Sequence, residues 1–154
     1  MTPKAPLNLE VPHQRMAEVA LKALSRIISE WKLSQAEAAA IADMPASSWK
    51  RVEAGDYGRK LNKDQMLRVS AIVGIYKSLK LYFNEPIASE WISLENDGPL
   101  FRGQRPVYSL ITSGLPQFLK VRTYLEALLE GHDPSFPTIA GKPENCFDSK
   151  RGSS

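Results

Sequence analysis

The sequence predicts an all-α fold: an N-terminal bundle of five helices packed on a smaller helical domain. Three observations carry that prediction. Apolar residues recur at intervals of three and four along most of the chain, the period of an amphipathic helix. Capping residues and breakers fall between those stretches. No stretch shows the strict apolar–polar alternation of a half-buried strand. With 154 residues, 43% of them hydrophobic, the chain suits one domain or two small ones with a core.

Each element has its own signal. Residues 1–12 carry three prolines and read as a loose arm. A first helix is expected from His13 to Trp31, with Met16, Val19, Ala20, Ala23, Leu24, Ile27, Ile28 and Trp31 as its buried stripe. Ser34 and Glu37 form the Ser-x-x-Glu pattern of a capping box. Ala36, Ala39 and Ala40 are small enough for another helix to cross closely. Asp43-Met44-Pro45 breaks the chain, and Pro45 suits a new helix start because it has no amide hydrogen to leave unpaired. In that helix Trp49 and Val52 share an apolar face, while Lys50 and Arg51 fall on another.

Residues 56–60 form a loop. Asn62 with Gln65 caps a further helix, which continues through Gly74 to Phe83 on Val69, Ile72, Val73, Tyr76, Leu79 and Phe83. A domain boundary is placed near Gly74, separating residues 13–74 from 75–131. Asn84-Glu85-Pro86 opens a short helix bearing Ile87, Trp91 and Ile92, and Asn96-Asp97-Gly98-Pro99 ends it. Pro106 starts a short helix through Leu110, which Gly114 breaks. A last helix spans Leu115 to Leu129 with Leu115, Phe118, Val121, Leu125 and Leu128 on one face, and Gly131 stops it. Residues 132–154, with three prolines, two glycines and few apolar residues, read as an extended tail.

Residues 35–55, QAEAAAIADMPASSWKRVEAG, thus read as one helix-turn-helix, and they resemble the Xre class of regulators, which includes the phage repressors. The family pattern is carried by Gln35, Ala39, Met44, Ser47-Ser48 and Glu53-Ala54-Gly55. The family usually has Gly where Asp43 stands; Asp tolerates the left-handed conformation better than most residues. At Ala46 the family often has a base-reading side chain. The resemblance implies a DNA-binding set of Gln35, Ser47, Ser48, Lys50 and Arg51, with Gln35 on a phosphate and Arg51 toward a guanine edge. An ordinary helical pair is the alternative for the motif, and a solvated surface is the alternative for its basic residues.

The second half resembles the toxin-binding domain of the MbcA/ParS/Xre antitoxins, through Trp91, Asn96, Pro99-Leu100-Phe101, Gly103, Pro106, Gly114, Val121-Arg122, Leu125 and Gly131. That family usually has a second Gly near position 102, where this chain has Arg102. The resemblance implies an antitoxin that neutralises a RES-domain, NAD-degrading toxin by direct binding and represses its own operon on operator DNA. The toxin-binding set it implies is Asn96, Leu100, Phe101, Arg102 and Arg105, with Asp133 and Phe136 in the adjoining tail. Phe101 is either an outward anchor or core. A plain helix-turn-helix repressor with a dimerising or ligand-sensing second half is the rival reading.

Charge and composition narrow the classes. Residues 1–70 hold eleven Lys/Arg against eight Asp/Glu, a net of +3, and residues 71–154 hold nine of each. So small an excess gives modest phosphate affinity per chain, which predicts a homodimer spanning two half-sites. Cys146 is alone, so neither an internal disulfide nor a thiolate zinc cluster is expected. His13 and His132 lie in no metal-spaced motif. Two histidines and scattered carboxylates give no nucleophile–base pair, so no enzyme activity is expected. There is no Gly-x-Gly-x-x-Gly, so no cofactor is expected. The N-terminus has no signal-peptide core and no apolar run reaches membrane length, which predicts a cytoplasmic protein.

Overall fold

The structure, a computed structural model, describes residues 12–131. Those residues hold seven α-helices and no strand, so the all-α class is correct. The chain divides into two compact units, Met1–Val73 and Gly74–Ser154.

The first unit opens with α1 (Pro12–Glu30), α2 (Gln35–Ala42) and α3 (Ala46–Glu53). Helix α4 (Lys63–Tyr82) begins in this unit and runs on past its end. Four helices, not five, therefore enter this unit among the described residues. Helix α4 runs unbroken through Gly74, as its spacing predicts.

The α1 core face also differs from expectation. Ala17, Leu21, Leu24, Ile28 and Trp31 are buried in a regular four-three-four-three series, with Ile27 beside them. Met16 is 50% exposed and Val19 65%, and Ala20 and Ala23 are half-buried. Two apolar stripes compete on this helix, and spacing alone does not say which one faces the core.

Three successive helices end in the same device. After α1, Leu33 N–H donates to Ile28 O at 3.2 Å and Lys32 N–H to Ser29 O at 3.1 Å. After α2, Met44 N–H donates to Ala39 O at 3.0 Å and Asp43 N–H to Ala40 O at 3.2 Å. After α3, Asp56 N–H donates to Arg51 O at 2.8 Å and Gly55 N–H to Val52 O at 3.0 Å. Each pair satisfies carbonyls left over at a helix end and needs one left-handed residue. Lys32 (φ 57°), Asp43 (φ 58°) and Gly55 (φ 76°) fill that place. Asp43 thus takes the conformation expected of it.

The second unit contains α5 (Ile87–Glu90), continued by a single 3-10 turn at Trp91–Ser93, then α6 (Pro106–Ser113) and α7 (Leu115–Leu129). Pro106 opens α6, and Gly114 lies between α6 and α7 with φ 77°. Phe118, Val121 and Leu125 of α7 are buried with Val107, Leu110, Trp91 and Ile92, while Leu115 and Leu128 are half-buried. Among the described residues, no helix is long and apolar enough to cross a membrane.

Candidate functional site

The helix-turn-helix is built from its caps inward. Ser34 Oγ accepts from Glu37 N–H at 3.1 Å, and Ser34 N–H donates to Glu37 Oε1 at 2.9 Å, so the expected capping box forms. Helix α2 is then pinned by Ala38, Ala39, Ile41 and Ala42, all buried. The turn ends at Pro45, extended at φ −63°, ψ 154°, and α3 starts at Ala46. Trp49 is fully buried and Val52 nearly so. Their burial fixes the rotation of α3 about its axis. Ser47, Lys50 and Arg51 are consequently exposed on its opposite side, and Ser48 is half-buried. Gln35 is exposed at the start of α2, and its Nε2 donates to Glu53 Oε1 at 2.6 Å.

The first turns of α4 hold this motif from behind. Asn62 Oδ1 accepts from Gln65 N–H at 2.8 Å, and Asn62 N–H donates to Gln65 Oε1 at 3.0 Å. Gln65 Nε2 goes on to donate to Asp43 O at 3.0 Å. Arg68 donates to Asp64 at 2.5 Å and reaches Ala40 O and Ile41 O at 3.4 and 3.5 Å. Two α4 side chains thus bond carbonyls at and just after the end of α2, adding to the Asp43 N–H that already donates to Ala40 O. The Asn62/Gln65 cap is a local pattern readable from sequence. The reach of Gln65 and Arg68 to α2 spans more than twenty residues, and no sequence signal announces it.

In the second unit the chain from Asn96 to Gln104 folds into a closed loop. Asn96 N–H donates to Gln104 O at 3.2 Å, and Gly103 N–H donates to Asn96 O at 2.8 Å. Inside it, Asn96 Oδ1 accepts from Gly98 N–H at 2.7 Å, and Gly98 O accepts from Phe101 and Arg102 N–H. Arg102 (φ 51°) and Gly103 (φ 82°) are consecutive left-handed residues. The place where the resembling family has a second Gly is thus one that favours Gly, and Arg102 occupies it at a cost of about 1–2 kcal/mol.

Phe101 is core rather than an outward anchor. It is 3% exposed, edge-on to Trp91 at 5.5 Å and to Tyr124 at 6.3 Å between ring centroids. A Phe in this loop suits either place; the ring cluster that holds it comes from two elements distant in sequence. Arg102 and Arg105 are exposed, and Leu100 and Asn96 are half-buried. Gln117 of α7, buried, donates to Leu100 O at 3.4 Å and Ser109 Oγ at 3.2 Å. It anchors the loop and carries no sequence signature. Asp133 and Phe136 lie outside the described residues. Among the described residues, no group of three or more His, Cys, Asp or Glu could hold a metal ion.

The first unit thus presents a buried Trp49/Val52 face, an exposed Ser47/Lys50/Arg51 face and a left-handed turn. Residues 10–74 match the family model of the antitoxin Xre-like helix-turn-helix domain. The Xre-like match supports a toxin–antitoxin antitoxin or a helix-turn-helix repressor, with DNA and toxin as the general partner classes. No curated protein and no solved structure matches the chain.

Proposed function

We propose that the chain is the antitoxin of a type II toxin–antitoxin pair. In this reading the first unit binds operator DNA and the second unit blocks a RES-domain toxin. The protein acts by binding and has no catalytic role. The observation that carries the DNA half is the Xre-like match over residues 10–74, together with the exposed Ser47, Lys50 and Arg51 on α3. A recognition helix needs an apolar back to fix its rotation and a polar-basic front to meet base edges and phosphates. The small positive excess of the N-terminal half favours a homodimer that places two such helices on two half-sites.

The toxin half rests on the resemblance of residues 75–131 and draws support from the loop. A closed loop with a left-handed Arg102 at its turn costs conformational energy that a purely structural turn avoids by using Gly. Such a loop is ordered before it docks, so little entropy is lost on binding. Arg102 and Arg105 are suited to pair with acidic toxin groups or to occupy a site that otherwise holds cofactor phosphates. Leu100 supplies an apolar contact beside them. With Phe101 in the core, the outward set is Leu100, Arg102 and Arg105.

The test is co-expression with a RES-domain toxin encoded in the neighbouring reading frame, scored by growth, followed by co-purification and mass measurement. Restored growth with a stable complex is the expected outcome. Growth arrest unchanged by the chain, with operator binding intact, favours a plain helix-turn-helix repressor. That second reading has one observation on its side: the family match stops at residue 74.

A further inference from the structure

Gln35 Nε2 and Glu53 Oε1 meet at 2.6 Å, and both residues are exposed. Gln35 is the first residue of α2 and Glu53 the last of α3, so one hydrogen bond ties together the two ends of the helix-turn-helix. Its direction is fixed by chemistry. A carboxylate only accepts, so the Gln35 amide must present nitrogen to Glu53.

Stability explains this contact poorly. An exposed side-chain pair adds little, because water competes for both groups. Glu53 also stands at the C-terminal end of α3, where the helix dipole disfavours negative charge. It sits within the motif that meets DNA, where a carboxylate repels phosphate. An arrangement unfavourable in two ways and nearly neutral in a third calls for a functional account.

We propose that Glu53 is a positioning residue for DNA binding, holding the Gln35 carboxamide in the rotamer that contacts the phosphate backbone. The inference rests on the DNA-binding reading of the first unit. A free Gln side chain samples many rotamers and loses that freedom on docking; Glu53 removes much of the loss beforehand. Gln35 keeps its second amide N–H to donate to a phosphate oxygen, beside the amide groups that open α2. The carboxylate charge has a separate effect, lowering affinity for all DNA alike.

Two substitutions separate the effects. Glu53→Gln removes the charge and keeps an acceptor for Gln35. Glu53→Ala removes both. Affinity is measured by fluorescence anisotropy at matched salt, on a duplex that the full chain selects from a random pool, with thermal melting in parallel. The expected result is that E53Q binds at least as tightly as the unaltered chain. E53A binds about three- to tenfold more weakly than E53Q, the scale set by ordering one flexible side chain. In a Gln35→Ala background E53A and E53Q bind alike, and melting is unchanged throughout. Equal binding by E53A and E53Q in the unaltered background overturns the proposal and leaves the DNA-binding reading standing. The same is true if their difference persists without Gln35, since the effect then does not pass through that side chain. A chain that selects no duplex overturns the DNA-binding reading and this proposal with it.

Discussion

Among the described residues, three non-glycine residues hold left-handed backbone, and two of them, Lys32 and Arg102, make opposite predictions about function. Lys32 ends α1 at φ 57° and is exposed. Lys32→Gly is expected to stabilise the protein by about 0.5–1 kcal/mol, the left-handed penalty of a non-Gly residue less the entropy glycine adds to the unfolded chain. Chemical denaturation should show that gain with DNA and toxin binding unchanged. Arg102→Gly removes the same kind of strain, so its midpoint should rise comparably. It also deletes an exposed guanidinium from the loop, and inhibition of the toxin in the growth assay should weaken. A rise in stability with full inhibition retained counts against Arg102 as a toxin contact. Phe101→Ala is no test of that surface. It empties a ring cluster with Trp91 and Tyr124 and should cost about 3–5 kcal/mol.

At the scale of elements, the proposed DNA-binding role of α3 predicts that readout and attachment are separable. Arg51→Ala is expected to cost on the order of 1–3 kcal/mol of operator affinity and relax specificity, as a base-edge contact would. Lys50→Ala should weaken all duplexes alike and reduce the salt slope by about 1. Competition binding at several salt concentrations distinguishes them; Arg51→Ala with unchanged affinity at matched salt would contradict the placement. The start of α5 carries a pH-dependent contact. Lys80 Nζ donates to Glu85 at 2.7 Å and Ser89 N–H donates to its other oxygen at 3.1 Å, holding the Glu85 carboxyl below its ordinary value. A depressed carboxyl contributes stability above its unfolded pKa and loses it as pH falls through the folded one. The melting temperature should therefore drop as pH falls below about 4.3, the unfolded Glu value, and Glu85→Gln should flatten part of that drop.

How far the sequence revealed these elements depended on range. The Ser34/Glu37 box, the Asp43 turn, the Trp49/Val52 back of α3 and the Leu115–Leu129 helix are all local patterns, and each was legible. The choice between the two apolar stripes of α1 was not, because it depends on what packs against them. The Gln65 and Arg68 bonds to α2, the Gln117 anchor and the Gln35–Glu53 bond join residues distant in sequence, so no spacing rule points to them. Phe101 was ambiguous for the same reason: its neighbours Trp91 and Tyr124 are not its sequence neighbours.

For the molecule as a whole, the proposed division of labour predicts separable losses. A chain ended after Leu129 is expected to keep operator binding and lose part of its toxin inhibition. Anisotropy and the growth assay on the same preparation would decide it, and full rescue of growth by a folded truncated chain would remove residues 130–154 from the inhibitory surface. Helix α4 adds a different consequence. The division between the two units falls at Val73–Gly74, well inside its twenty residues. A protease needs an extended, accessible stretch of backbone, and a helix interior withholds it by keeping its amides bonded. Mild digestion should therefore release no fragment ending between residues 67 and 78, and the two units should not be recovered as separate products. Under the proposed function, a cut that frees the DNA-binding unit while leaving the other intact is disfavoured by that helix. Loss of one activity would then be tied to loss of the other, and repression and neutralisation would lapse together.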